Sequence, residues 1–115
     1  MSEYTLSKKD QNTERDNSIL NLKSLLSPGD TVYTLIRSVS SSGMSRTMSL
    51  YIVKDNRLVN ITYYTARALG WSLRDVNGSR VMRVGGCGMD MGFHAVSTLS
   101  RVILGDDYAL SHEWA

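Results

Sequence analysis

The first sustained pattern of apolar residues begins after a polar stretch of 17 residues. Residues 1–17 combine mixed charges with Ser, Thr, Asn and Gln and show no apolar period, which predicts a flexible terminus ahead of a single domain at residues 18–115. The next apolar residues are spaced as on one face of a helix, at Ile19, Leu22, Leu25 and Leu26. Pro28-Gly29 ends this pattern. The pattern predicts a short N-terminal helix.

Three segments rich in alternating or β-branched residues come next. Thr31–Ser38 and Arg46–Val53 alternate along their length, and Arg57–Asn60 follows the tight-turn pair Asp55 and Asn56. Consecutive strands with short connections pair as antiparallel hairpins. These segments therefore predict an antiparallel meander of three strands.

The second half of the chain predicts further elements. Ile61–Leu69, closed by Gly70, favours a short helix, Trp71–Ser79 is typical of a loop, and Arg80–Val84 predicts a short fourth strand. A helical period then fills the segment from residue 88 to residue 104, with apolar residues at Met89, Phe93, Val96, Leu99, Val102 and Ile103. We expect an α+β fold in which the three-stranded meander and the short fourth strand pack against a long C-terminal helix and the short N-terminal helix.

Composition and charge exclude several classes of function. A chain of 115 residues, 42% hydrophobic and 21% charged, fits one globular domain, and a net charge of +2 is too small to bind DNA or an anionic membrane through bulk charge alone. No stretch approaches the roughly 18 consecutive apolar residues of a membrane span, and the polar N-terminus is unlike a secretory signal. With Cys87 as the single cysteine, neither an intramolecular disulfide nor a thiol-rich zinc module is expected. We expect a cytoplasmic protein with no membrane partner, metal or cofactor.

Two loops carry the candidate binding chemistry. Glycines at a strand-to-helix connection leave backbone N–H groups free to face an anion, and arginine forks suit phosphate or carboxylate. We predict a ligand-binding surface made of the Ser-rich and Gly-rich loops: Ser42, Gly43, Ser45, Arg46, Arg83, Gly85, Gly86, Gly88 and Asp90. The competing interpretation of the glycines is a tight strand-to-helix corner, beside which Asp90 would repel an anion.

A thiol-dependent enzyme using Cys87 is the first alternative. A thiol at a helix N-terminus has a lowered pKa, and His94 is the nearest histidine along the chain. Seven residues of helix rise about 10 Å, too far for a direct hydrogen bond unless the helix begins after Cys87. His112, on the tail, is the other candidate base. The competing interpretation is a small buried thiol at a crowded corner, and a non-enzymatic role is favoured.

A nucleic-acid-binding module is the second alternative. After residue 31 the chain carries one lysine and eight arginines, which are Arg37, Arg46, Arg57, Arg67, Arg74, Arg80, Arg83 and Arg101. Tyr33, Tyr51, Tyr63 and Tyr64 are able to stack on bases. The competing interpretation is scattered surface arginines and half-buried strand tyrosines. Methionine- and leucine-rich surface leaves a homodimer open.

Four segments resemble a group of short proteins encoded by phages and prophages. They are SSGMSR (Ser41–Arg46), ARALGW (Ala66–Trp71), RVGGCGMDMGFH (Arg83–His94) and DDYALSHEW (Asp106–Trp114). The resemblance implies a mobile-element setting and no mechanism. Together with the two loops, it predicts a non-enzymatic phage accessory protein. Its partner would be a small, nucleotide-like anionic ligand or a host macromolecule such as a host protein, and its role would be to modulate host defence.

Overall fold

The computed structural model describes residues 7–43, 45–76, 78–85 and 91–115, which form an α+β fold with a six-stranded mixed sheet. The helices are α1 (Lys8–Leu25), α2 (Thr62–Leu69) and α3 (Met91–Thr98). The strands are β1 (Thr31–Val39), β2 (Ser45–Lys54), β3 (Arg57–Asn60), β4 (Leu73–Val76), β5 (Ser79–Gly85) and β6 (Ser111–Trp114). A π-helical segment (Leu99–Leu104) continues α3, and a 3-10 turn (Asp106–Tyr108) precedes β6.

β1 and β2 lie at the centre of the sheet. They pair with each other antiparallel, and β6 adds to the other edge of β1 in parallel. β3 and β5 both pair antiparallel with β2, β3 near its end and β5 near its start, and β4 pairs antiparallel with β5. The sheet order is therefore β4-β5-β2-β1-β6, with β3 beside β2.

The predicted sheet, an antiparallel meander of three strands plus a short fourth strand, is wrong, because the sheet has six strands. Leu73–Val76 lies in the segment predicted to be a loop, yet it forms a hairpin with β5. The tail contributes Ser111–Trp114, which takes the free edge of β1 and makes the sheet mixed. Both strands have only four residues, too few for an alternating pattern to stand out in the sequence.

The prediction of a short N-terminal helix is also wrong, because α1 begins at Lys8, inside the stretch expected to be flexible. The side chain of Ser7 caps the helix by accepting a hydrogen bond from the backbone N–H of Asp10 at 3.2 Å. The middle of α1 then docks through polar residues: the Tyr63 hydroxyl of α2 donates to the Glu14 carboxylate, and Ser18 is buried. Polar docking of this kind produces no apolar stripe in the sequence.

The long C-terminal helix predicted between Gly88 and Leu104 is wrong as well. The regular α-helix α3 has 8 residues, and the chain then winds as a π-helix in which the Gly105 N–H donates to the Ser100 carbonyl at 2.6 Å. The winding buries Leu99 and Leu104, five residues apart, and leaves Val102 63% exposed. The α-helical period placed Val102 in the core, so the change of winding explains the error.

The helical layer lies on one face of the sheet, which we call the covered face: α2 and α3 contact the strands, and α1 packs on α2. Strand residues on this face pack with helix residues in a single apolar cluster. The cluster includes Leu22, Leu26, Val32, Met48, Leu50, Ile52, Leu73, Met82, Val84, Val96 and Leu99. Residues at the alternate strand positions, such as Tyr33, Thr47 and Arg83, lie on the opposite face. No helix of the described residues packs on that side, which we call the open face. None of the described helices is both long and apolar enough to cross a membrane.

Gly92 fixes the distance between α3 and the sheet. A Cβ atom at Gly92 would lie 2.5 Å from Nε2 of His112 and 2.7 Å from Oγ1 of Thr34. These two side chains are joined by a hydrogen bond of 2.6 Å between β1 and β6. The close approach of the helix therefore requires glycine at this position.

Candidate functional site

A shallow cleft lies where β1, β2, β4 and β5 meet, and its volume is about 170 Å³. The residues that line this arginine cleft are Ser38, Val39, Ser40, Ser45, Arg46, Thr47, Arg74 and Arg83. The lining therefore includes three arginines and four hydroxyl-bearing residues, and no Asp or Glu is among the described residues that form it. Such a set of donors matches an anion.

Two of the arginines are neighbours on the open face. Arg83 lies directly opposite Thr47 on β2, and its backbone N–H donates to the Ser72 carbonyl at 3.0 Å. Arg74 pairs with Val81, two residues before Arg83 on β5. This register makes Arg74 and Arg83 diagonal neighbours, with Cα atoms about 7–8 Å apart. Their like charges repel each other, and an anion between them would remove that repulsion.

Hydroxyl groups form the other side of the cleft. Oγ of Ser38 and Oγ1 of Thr47 lie 2.6 Å apart across β1 and β2. Oγ of Ser40 accepts from the backbone N–H of Ser45 at 3.1 Å, and the Ser40 N–H donates to the Ser45 carbonyl at 2.9 Å. These bonds close the β1–β2 hairpin and hold the rim of the cleft.

The structure brings together four of the residues predicted to bind a ligand. Ser45, Arg46 and Arg83 line the arginine cleft, and Gly85 lies directly opposite Ser45 in the β2–β5 ladder. Arg46 lies between Ser45 and Thr47 on β2, so by the alternation of a strand it belongs to the other face of the sheet from these two residues. Two loops distant in sequence thus meet because β5 pairs with β2.

Other residues predicted for the site lie elsewhere. Ser42 and Gly43 form the hairpin turn, where Gly43 has a φ of +74° and the Ser42 hydroxyl is 3.3 Å from that of Ser40, and they do not line the cleft. The remaining predicted positions, Gly86, Cys87, Gly88 and Asp90, are outside the described residues. The described residues therefore do not include the candidate thiol of Cys87.

Both histidines weighed as partners of that thiol have aromatic neighbours. The exposed ring of His94 stacks on Trp71, with centroids 5.8 Å apart and planes at 11°. His112 bonds to Thr34, as described above, and meets the ring of Trp114 edge-on at 4.7 Å. Within the part of the chain that the structure describes, no group of three or more His, Cys, Asp or Glu side chains is arranged to hold a metal ion.

Five residues that line the cleft are absent from the predicted list of ligand-binding residues: Ser38, Val39, Ser40, Thr47 and Arg74. Arg74 was assigned to a loop, and Ser38 and Thr47 were regarded only as ends of strands. The sequence of β4, Leu-Arg-Asp-Val, does not alternate between apolar and polar residues, so it carried no strand signal for Arg74.

A second cavity, of about 280 Å³, lies between α1 and the segment after α2. Beside it, Arg67 and Arg80 lie 5.5 and 4.9 Å from the ring centroid of Tyr63. Burial, followed by the hydrogen bond to Glu14, raises the pKa of Tyr63 above its usual value. Arg67 and Arg80 are therefore engaged with the ring of Tyr63, whose hydroxyl donates to Glu14, and these contacts connect α1, α2 and β5.

Comparison with known proteins adds no family to this description, since no protein-family model, curated protein or solved structure matches the chain.

Proposed function

We propose that the protein is a non-enzymatic binder whose arginine cleft holds a phosphate-bearing anion. The observation that carries this proposal is the meeting of Arg74 and Arg83 at neighbouring open-face positions of one cleft, which Arg46 also lines and whose described lining holds no acidic residue. A guanidinium presents N–H donors in a planar fork that fits phosphate oxygens, and hydroxyls supply further donors.

The size of the cleft limits what it can hold. Pockets that enclose a whole small-molecule ligand measure about 300–1,000 Å³, whereas this cleft measures about 170 Å³. The volume suits a phosphate or diphosphate group, and the remainder of a nucleotide-like ligand would lie outside the cleft on the open face.

The proposed setting is that of a phage or prophage accessory protein acting in the host cytoplasm. Its support is the resemblance of four segments to such proteins. Two of those segments contribute to the cleft, one through Ser45 and Arg46 and the other through Arg83. The proposed role is to engage a phosphate-bearing host molecule and so modulate a host process such as defence.

Calorimetric titration with inorganic pyrophosphate at low ionic strength tests the anion site. We expect Arg83→Ser to weaken binding by about tenfold or more, because a hydrogen bond to a charged group is lost. Arg101→Ser is the matched control, since Arg101 is an exposed arginine of the π-helical segment, and it should leave binding unchanged. Absence of pyrophosphate binding, or equal losses in the two variants, would refute the proposal.

A further inference from the structure

The open face carries a second feature beside the arginine cleft. Tyr33 on β1 and Tyr51 on β2 lie directly opposite each other in the antiparallel ladder. Together they contribute to an apolar groove of about 310 Å³, which we call the tyrosine groove, lined by Tyr33, Leu35, Tyr51, Val53, Leu58 and Ala115. Val53 and Leu58 are 52% and 66% exposed, so apolar surface faces solvent here. Exposed apolar surface of this kind marks a site of interaction.

Arg37 links the tyrosine groove to the arginine cleft. It lies between Leu35 and Val39 on β1, at the irregularity in the β1–β2 register. Its guanidinium donates to Oγ of Ser79 at 3.1 Å, so the side chain crosses β2 to reach β5. A positive charge is thereby held on the open face midway between the groove and the cleft.

The charges and spacing of the open face fit a chain of phosphates with attached bases. Arg37, Arg74 and Arg83 lie on this face, against one carboxylate among the described strand positions, Glu113, which pairs with Tyr33. Thr47 at the cleft and Tyr51 at the groove are four residues apart on β2, or about 13 Å at the rise of a strand. That length corresponds to about four stacked nucleotides.

We propose that the open face binds single-stranded nucleic acid, with phosphates at the arginine cleft and Arg37 and with bases stacked on Tyr33 and Tyr51. This inference rests on the proposed anion binding at the cleft and names the ligand class. Arginines that track a backbone beside aromatic rings that stack on bases are the means by which proteins bind single strands without reading sequence. A second copy of this chain fits less well, because it would bring the same arginines toward the same face.

The test is fluorescence anisotropy with labelled octamers of deoxyuridylate and of uridylate at low ionic strength. Tyr33→Leu and Tyr51→Leu remove stacking but keep apolar volume, and Tyr33→Phe and Tyr51→Phe keep the ring as matched controls. We expect each leucine variant to weaken octamer binding by about tenfold, the phenylalanine variants to bind normally, and all four to bind pyrophosphate as the unaltered protein does. Circular dichroism of each variant checks folding.

The outcomes separate this inference from the proposed function. If Arg83→Ser abolishes binding of pyrophosphate and octamer but the leucine variants bind the octamer normally, the anion site stands and stacking on the tyrosines is refuted. If Arg83→Ser changes neither, both proposals fail. A dimer by sedimentation that does not bind the octamers overturns the nucleic acid in favour of a second copy. Tighter binding of the uridylate octamer than of the deoxyuridylate octamer assigns the ligand to RNA through its 2′-hydroxyl. Equal binding of the two octamers means that the protein recognises the features that single-stranded RNA and DNA share.

Discussion

The two faces of the sheet differ in what their side chains do, although the same strands supply both. Along β2, Met48, Leu50 and Ile52 on the covered face are 0%, 0% and 1% exposed, whereas Val53 on the open face is 52% exposed. Burial of the first set drives folding through the hydrophobic effect. The buried residues on the open face of β2, Thr47 and Ser49, are polar, and the neighbouring Arg83 is exposed, whereas Tyr33 and Tyr51 are half-buried. These arginine and tyrosine side chains are therefore available for binding without a large effect on stability.

The largest expected effect is the loss of a buried side chain on the covered face. Leu50→Ala should lower the free energy of unfolding by about 2–5 kcal/mol, because it removes apolar contacts and leaves a cavity. Val53→Ala, in the same strand but on the open face, should cost less than about 1 kcal/mol. Chemical denaturation of both variants measures the difference. Equal losses would mean that the two faces are not distinct in the way described.

A second test adds a single methyl group between the helical layer and the covered face. Gly92→Ala should destabilise the protein by about 1–3 kcal/mol, because the new Cβ overlaps the hydrogen-bonded pair Thr34 and His112 and forces α3 away from β1 and β6. Ser97→Ala, in the same helix, should change the midpoint of thermal unfolding little. A Gly92→Ala midpoint equal to that of Ser97→Ala would contradict the tight packing of α3.

A third test uses pH at the rim of the covered face. Burial by itself would raise the pKa of Asp30, but the ion pair with Lys54 at 2.7 Å and the hydrogen bond from the Ser27 N–H at 2.9 Å hold that pKa below its usual value. Because the pKa is lower in the folded state than in the unfolded state, the pair stabilises the fold above the unfolded pKa. The contribution is lost as the pH falls through the lowered pKa.

Asp30→Asn should therefore lower the free energy of unfolding at neutral pH by at most about 1 kcal/mol, and the difference from the unaltered protein should vanish at acid pH. Asp107→Asn, at an exposed carboxylate, is the control and should show no such pH-dependent difference. Denaturant midpoints over a series of pH values provide the measurement. A difference that persists below the lowered pKa would show that the effect does not come from the charge of Asp30.

The smallest expected effect on stability comes from the open face itself. Arg83→Ser should change the free energy of unfolding by no more than about 0.5 kcal/mol, since it removes a like-charge neighbour of Arg74. Met82→Ser, one residue earlier on the covered face, should cost about 2 kcal/mol or more. Chemical denaturation of these two variants measures the difference in stability between the two faces within one strand, β5. A large loss for Arg83→Ser would assign that side chain to the fold instead of to binding.

Signals within a single segment of sequence predicted the elements whose structure depends on short-range interactions. The turn residues Asp55 and Asn56 adopt φ values of +51° and +61°, a conformation that Asp and Asn tolerate better than most residues, and the β2–β3 hairpin follows from them. The segment predicted as the first strand, Thr31–Ser38, corresponds to β1, because its β-branched and aromatic residues alternate over a sufficient length.

Elements decided by distant contacts were not predictable in this way. The length of α1 depends on polar contacts with α2, such as that of Glu14 with Tyr63, which leave no apolar period. At the candidate site, Arg46 and Arg83 were selected for their chemistry, whereas their meeting depends on the pairing of Ser45 with Gly85. β2 and β5 are separated along the chain by β3, α2 and β4, so neither segment alone encodes the register between them.

The position of β6 has a consequence for the order of folding. The Thr34–His112 contact that joins β1 to β6 links residues 78 positions apart, whereas β1, β2 and β3 are joined by short connections. Because closing a long loop costs more entropy than closing a short one, the hairpins should form first and β6 should be added late. Until then the outer edge of β1 presents unpaired N–H and C=O groups to other chains. The rate at which β6 arrives therefore limits how long a newly made molecule is exposed to strand exchange and aggregation.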